Sequence, residues 1–418
     1  MSDTNSRESP DSRPRFFYGY VIVIAAFCIM LVYMGARSIF GVFFKPMADE
    51  LKWSSAALSS TYSLSMFMEG GIGIVMGIIT DKLGPKIVII MCGLLLGLGF
   101  FLMSRIDALW QMYVIYGLLI GAGMSGIFVP LVTTTSRWFV ARRSMMTGLI
   151  LTGTGIGILI SAPVANWLIS AQGWRNSYII FGVVLFVVFI LAALFLKRDP
   201  SQAGQMPDGR AMIGEQTPKR DDTGFTLGEA IATRQFWFTF FTFFSLGLYS
   251  ISLNVHIVPH IINLGYPPAT GATVLAIIGG AGIIGRLAIS AIADRIGNRQ
   301  TFVTGFIISF VITLWLAFFR ETWGFYLYAF IWGLCMGGVT SLYGPMVAEL
   351  FGLKWHGLIF GVCGFGAMLG GTVGPTLTGY IFDLTGSYQT AFFILAAFLI
   401  AGLIFSFMLK PLAKENQQ

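Results

Sequence analysis

Apolar stretches of about twenty residues recur twelve times along this chain, and that recurrence restricts its fold more than any other feature. They lie near 18–44, 54–80, 87–104, 109–136, 143–169, 175–196, 235–264, 269–293, 300–319, 322–350, 356–382 and 388–410. Crossing ~30 Å of hydrocarbon at 1.5 Å per residue takes about twenty residues of helix. Strands of a membrane barrel would alternate in polarity, whereas these runs are continuously apolar. Backbone groups in lipid must pair within their own segment, so each run reads as a helix. The expectation is an all-α membrane protein with twelve transmembrane helices.

Composition agrees. Charged residues make up 11% of the 418 residues and apolar residues 56%, against ~25% charged in a soluble domain. So little polar surface cannot cover a water-soluble core. An ordinary soluble enzyme, a disordered chain and a disulfide scaffold are set aside. Cys28, Cys92, Cys335 and Cys363 all fall inside apolar runs with no metal-ligand spacing, so neither a disulfide nor a metal site is expected. No cleavage pattern follows the first basic residues, which reads as an uncleaved first span.

The one long polar interruption, 198–233, is rich in charge, Gly and Pro, with a short amphipathic helix expected around Leu227–Thr233. It divides the chain into a tail (1–17), a six-helix bundle (18–197), a linker (198–233), a second six-helix bundle (234–411) and a tail (412–418). With the N-terminus inside, nineteen of the 26 Lys and Arg lie in inner segments, five in outer ones (Lys45, Lys52, Arg105, Arg175, Arg320) and two within spans. Such asymmetry places both termini and the linker in the cytoplasm. The net charge of +7 is then a topology signal, not a nucleic-acid one.

The two halves repeat at a fixed offset. Asp81-Lys82-Leu83-Gly84 after span two returns 213 residues later as Asp294-Arg295-Ile296-Gly297 after span eight. The same offset relates Tyr113 to Tyr326, Gly148 to Gly361, Gly153 to Gly366 and Gly157 to Gly370. Two like-oriented six-helix repeats resemble the major facilitator transporters, which implies a substrate site near the midplane between the halves. The loop Gly77-x-x-x-Asp81-Lys82-x-Gly84 resembles that family's signature between spans two and three. Its second copy departs only in carrying Ser290 where the first has Gly77. A basic loop alone would set topology, but it would not explain the Asp and Gly spacing twice. The Asp can cap a neighbouring helix N-terminus, so Gly77, Asp81, Lys82, Gly84, Asp294, Arg295 and Gly297 are read as a gating latch.

Three stretches carry a narrower resemblance. Arg142-Arg143 followed by Gly148-Leu149 and Gly153, Tyr18-Gly19-Tyr20 entering span one, and Arg37 with Phe43-Phe44-Lys45 are similar to signatures of the monocarboxylate transporter family. Gly173-Trp174-Arg175 before span six is a further likeness. The resemblance implies a bacterial relative in the inner (plasma) membrane, a monomeric transport unit and no catalytic activity, cofactor or metal. It also implies secondary transport of a small carboxylate such as lactate or pyruvate together with a proton.

Charges inside the membrane are few. Arg286 sits eight residues before Asp294, about 12 Å from the inner end of its span. A mid-membrane guanidinium costs several kcal/mol and is by default functional. Its planar fork matches a carboxylate and stays charged. The family resemblance makes Arg286 the anion clamp; a structural ion pair with a buried acid is the competing reading. Arg37 cannot exchange protons but can attract an anion, or it can snorkel to the outer interface. Where the family carries an Asp one turn before the span-eight Arg, this chain has Gly282.

Glu69, the one acid deep in a span, occupies the repeat-equivalent position of Gly282. Low dielectric disfavours a charged carboxyl group, which makes Glu69 the candidate proton carrier, against a structural role as partner of a Ser, a Gly backbone or Arg37. The resemblance adds Tyr33, Thr147, Leu151, Met336 and Thr340 as cavity residues, although Met and aromatic side chains also fill ordinary packing. Tyr249 and Asn254 are further cavity candidates, and His256 and His260 read as interfacial. An oxalate–formate type of anion exchanger is the alternative, since two bases suit a dianion.

Overall fold

The computed structural model describes residues 16–209 and 224–410. Eleven helices among these residues are long and apolar enough to cross a membrane. One of them, Arg143–Phe195, is 53 residues long and breaks at Gly173, whose φ of 79° is a left-handed conformation that suits Gly. Twelve spans result: α1 Gly19–Leu51, α2 Ser55–Leu83, α3 Pro85–Met103, α4 Leu109–Trp138, α5 143–172, α6 174–195, α7 Arg234–Asn263, α8 Pro268–Ile296, α9 Asn298–Phe318, α10 Thr322–Phe351, α11 His356–Thr385 and α12 Tyr388–Met408.

Local chemistry sets the ends. The Ser54 hydroxyl accepts from the Ala57 amide at the start of α2, and Thr233 caps α7 through Phe236 N. Pro85 and Pro268 occupy first turns, where a missing N–H costs nothing. Between α2 and α3 and between α8 and α9 the chain turns on Gly84 (φ 88°) and Gly297 (φ 96°). That requirement accounts for the Gly that closes both copies of the latch motif.

Two departures from the sequence expectation are local. The first span continues to Leu51 instead of ending near 44, with a break at Ile39 and Pro46 inside the second piece. Span α4 contains a π-helical stretch over Tyr113–Ile120, a local widening that hydropathy does not reveal. The short linker helix spans Leu227–Ile231 and is closed by a Thr226–Glu229 capping box. Arg210, Lys219 and Arg220 of the linker, Arg7, Arg13, Arg15 and Lys414 lie outside the described residues.

The buried apolar side chains form two cores. One gathers residues from Ile22 to Leu196, and the other residues from Ala230 to Leu409 with Val129 and Val132 added. Within each core, small residues let helix backbones touch. A Cβ at Gly157 would stand 2.1 Å from the Leu31 carbonyl oxygen, and one at Gly370 would stand 2.1 Å from the Phe244 carbonyl oxygen. Leu31 and Phe244 are themselves 213 residues apart, so the repeat extends from sequence to helix contacts. Each bundle packs its first span on its fifth through the same glycines.

Candidate substrate site

The bundles meet on the face that carries the linker. There the Asp81 carboxylate accepts from Gly357 N (3.1 Å) and Leu358 N (2.9 Å), the first turn of α11. Asp294 accepts from Ser144 N and Met145 N, both at 2.8 Å, the first turn of α5. Residue 144 lies 213 before 357, so one contact is the repeat image of the other. Each places an anion on unpaired amides at the positive end of a helix. Gly77 allows α2 to lie against α11, since a Cβ there would be 2.5 Å from Gly357 O. At the equivalent place Ser290 meets Gly148, which has no side chain to oppose it. Lys82 and Arg295 point to the exterior. Arg137 adds a further tie: Nη2 donates to Leu353 O (2.5 Å) and lies 3.9 Å from Asp81.

Deeper in the membrane the inter-bundle faces carry charge. Residues 286, 290 and 294 lie on one stripe of α8, and that stripe faces α5. The Arg286 carbonyl approaches Gly148, and its Nη1 would be 3.2 Å from a Cβ at Gly155. Gly155 thus makes the room that the guanidinium occupies; sequence reasoning missed it, and an unbroken small-residue spacing on α5 was the available signal. Arg286 is half-buried, and no ion-pair or hydrogen-bond partner holds its guanidinium among the described residues.

Arg37 is held differently. Its Nη1 donates to both Glu69 oxygens, at 2.7 and 2.6 Å, and Tyr33 O–H donates to Glu69 Oε1 at 2.5 Å. The Arg37 and Glu69 side chains are 17% and 10% exposed. Arg37 therefore turns inward to an acid on α2 and does not reach for the outer interface. Tyr33 and Arg37 stand one turn apart on α1; on α2, Gly70 and Gly77 face α11, the Cβ position of Gly73 meets Ser125 O of α4, and Glu69 turns toward α1. Tyr62 of α2 flanks the guanidinium and stacks on Phe40 at 4.9 Å; it was not anticipated.

The remaining candidates are placed less directly. Thr147, Leu151 and Met336 are buried and Thr340 is half-buried. Thr147 and Gly155 share a face of α5, but the Thr147 hydroxyl donates to Arg143 O, and that of Thr340 donates to Met336 O. Neither donor is aimed at Arg286. Tyr249 does not line a cleft: it is fully buried between α7 and α9, accepting from the Thr313 hydroxyl at 2.9 Å. The Asn254 amide donates to Ser250 O and is exposed. His256 contacts Pro375 O and the Tyr388 hydroxyl, and His260 is buried against Phe392 and Tyr388, so both pack within the second bundle. On the face opposite the linker, Trp174 and Arg175 both donate to Glu50, tying α6 to the end of α1.

Two repeated helical bundles latched at one face, with unequal charges between them, define a multi-pass carrier of the membrane. The Major Facilitator Superfamily profile matches residues 26–319 and 287–418, and the chain belongs to that family. Monocarboxylate transporter 13 of Rattus norvegicus is 27% identical over 404 residues, covering 92% of this chain and 87% of the relative. The oxalate:formate antiporter of Oxalobacter formigenes is 25% identical over 417 residues, covering 96% and 94%. Among solved structures, the superfamily transporter FucP in its outward conformation superposes with a TM-score of 0.69 at 15% identity, covering 94% of this chain and 99% of its own. The fold is therefore that of a small-molecule transporter in a lipid bilayer.

Proposed function

We propose that this protein is a secondary carrier of small monocarboxylates of the lactate or pyruvate kind, with Arg286 as the residue that holds the carboxylate. One observation supports this above the others: Arg286 is a mid-membrane cation with no partner among the described residues. An uncompensated guanidinium at that depth costs several kcal/mol. An anionic substrate removes that cost when it binds, which makes the site selective for anions. Likeness to monocarboxylate transporters over nine-tenths of the chain supports the same class.

In this reading the two bundles rock about the midplane site. The linker face is cytoplasmic, as its basic residues favour, and the Asp81 and Asp294 contacts hold it shut in the present conformation. Glu69 is the proton carrier of a symport, and the transport unit is a monomer in a bacterial plasma membrane. An oxalate–formate type of exchange is the second reading, supported by the likeness to that antiporter. The Arg37–Glu69 pair weighs against it, because only one of the two guanidinium groups is left without an acid.

Uptake of labelled carboxylates into proteoliposomes under an imposed pH gradient tests the assignment. Arg286→Ala is expected to lower lactate uptake at least a hundredfold, with Arg286→Lys intermediate because a point charge replaces the fork. Undiminished uptake by Arg286→Ala would sink the clamp. Pump-like accumulation that survives Glu69→Gln would remove the proton role while leaving the clamp intact.

A further inference from the structure

The Arg37–Glu69 pair does more than fill space, because it fixes how much charge the site offers. Arg286 lies on the stripe of α8 that meets Gly148 of α5, and Glu69 adjoins Gly70, whose Cβ position meets Phe365 and Met368 of α11, so both lie beside the seam between the bundles. Glu69 is the repeat-equivalent of Gly282, four residues from Arg286. Like-oriented repeats place equivalent residues at like depth, so Glu69 and Arg286 differ in depth by one turn, about 6 Å. An anion on Arg286 then lies about one helical turn in depth from Glu69, the group that cancels the Arg37 charge.

We infer that Glu69 is the specificity-determining residue for substrate valence: by neutralising Arg37 it leaves the site one net positive charge and selects monocarboxylates over dicarboxylates. This rests on Arg286 being the substrate clamp. In the state that admits substrate Glu69 is ionised, its proton joining only after the anion is bound, and the charges of Arg37, Glu69 and Arg286 sum to one, which a single carboxylate cancels. With Glu69 uncharged they sum to two, and a second carboxylate on the same molecule finds a guanidinium. The groups that face Glu69 are Arg37 and Tyr33 from α1, with Tyr62 on its own helix and Tyr116 from α4 nearby. From α11 the neighbours at Gly70 are Phe365 and Met368, neither of which carries charge. No other acid among the described residues is placed to take over from Glu69.

The tyrosines explain why the guanidinium would stay in place. Arg37 Nη1 is 3.3 Å from Tyr33 Oη, and Tyr62 flanks it, so loss of the Glu69 charge frees the fork without freeing the side chain. Asp in place of Glu69 keeps the charge and should keep the preference.

The test is displacement of labelled lactate from the purified full-length protein by unlabelled lactate and by oxalate, at one pH where oxalate is doubly ionised. Glu69→Gln is expected to raise the preference for oxalate over lactate by on the order of tenfold to a hundredfold. Glu69→Asp should leave the preference unchanged, and Arg37→Gln combined with Glu69→Gln should return it to the wild-type value. An unaltered ratio in Glu69→Gln, or a raised ratio that persists in the double variant, overturns the inference. Should Glu69→Gln not be recovered as a monodisperse protein, Glu69→Ala in the same assay decides the point. Arg286→Ala separates the two claims: if it still binds lactate like the wild type, the clamp is wrong; if it does not, only the Glu69 variants bear on valence.

Discussion

At the linker face the two halves are near copies; at the midplane they are not. Asp81 and Asp294 make the same pair of backbone contacts on helices related by the same 213-residue offset. Gly157 and Gly370 give the same close approach to carbonyls that are also 213 apart. Along the charged stripes, however, Glu69 corresponds to Gly282, Gly73 to Arg286 and Arg37 to Ser250. Motion and packing need both halves to behave alike, because rocking about an axis between them repeats each contact. A substrate is not symmetric, and a cation opposite its own copy would repel it. The repeat thus survives where it serves mechanics and is broken where it serves chemistry.

The largest expected effect attacks the shared part. Gly157→Val and Gly370→Val each push a side chain into a carbonyl 2.1 Å from the Cβ position. Rigid backbone on both sides leaves little room to yield, so each should cost about 3 kcal/mol or more, the upper end of overpacking. The comparison predicts losses of similar size, read as thermal unfolding in detergent. If one variant melts like the wild type while the other collapses, the packing repeat is not mechanically equivalent.

The latches should give a smaller and slightly unequal pair of effects. Asp81→Asn and Asp294→Asn replace charge-assisted contacts to backbone amides with neutral ones, a loss of about 1–2 kcal/mol each. Asp81 also has Arg137 at 3.9 Å, while the described ion pairs include none for Asp294, so its variant should shift the more. Spin labels at the exposed positions Lys86 and Gln300 report the opening of the linker face. Distances unchanged in both variants would mean that the carboxylates do not hold that face shut.

Much of this was legible in the sequence because the signals are local or periodic. Span length follows from hydropathy, the glycine turns from the motif, and the repeat from a single offset. Arg286 stood out because a mid-span guanidinium is costly wherever it points. Arg37 was one of several partners that the sequence left open for Glu69, but which of them it meets, and that Tyr33 joins the pair, was not legible: the contact joins residues over thirty apart through helix rotations that composition does not determine. The same holds for Tyr249, whose place between α7 and α9 depends on which face of α7 turns inward. The break at Ile39 and the π-helical stretch in α4 leave hydropathy unchanged, so nothing in the sequence pattern marked them.

The smallest effect on folding, and the sharpest probe of the broken repeat, is Gly282→Asp. Nothing lies closer to a Cβ there than Gly333 O at 3.6 Å, ordinary contact, so stability should change by less than about 1 kcal/mol. The new carboxylate stands four residues before Arg286, the spacing at which helical side chains pair. The second half would then hold its guanidinium as the first half holds Arg37. Lactate uptake near neutral pH should fall several-fold, since substrate must displace the internal acid. Protonation removes that competition, so uptake should recover as pH is lowered, whereas a steric block would persist at every pH. Unaltered uptake at neutral pH would show that the unpaired state of Arg286 is not what draws the anion, and the asymmetry between the halves would need another cause.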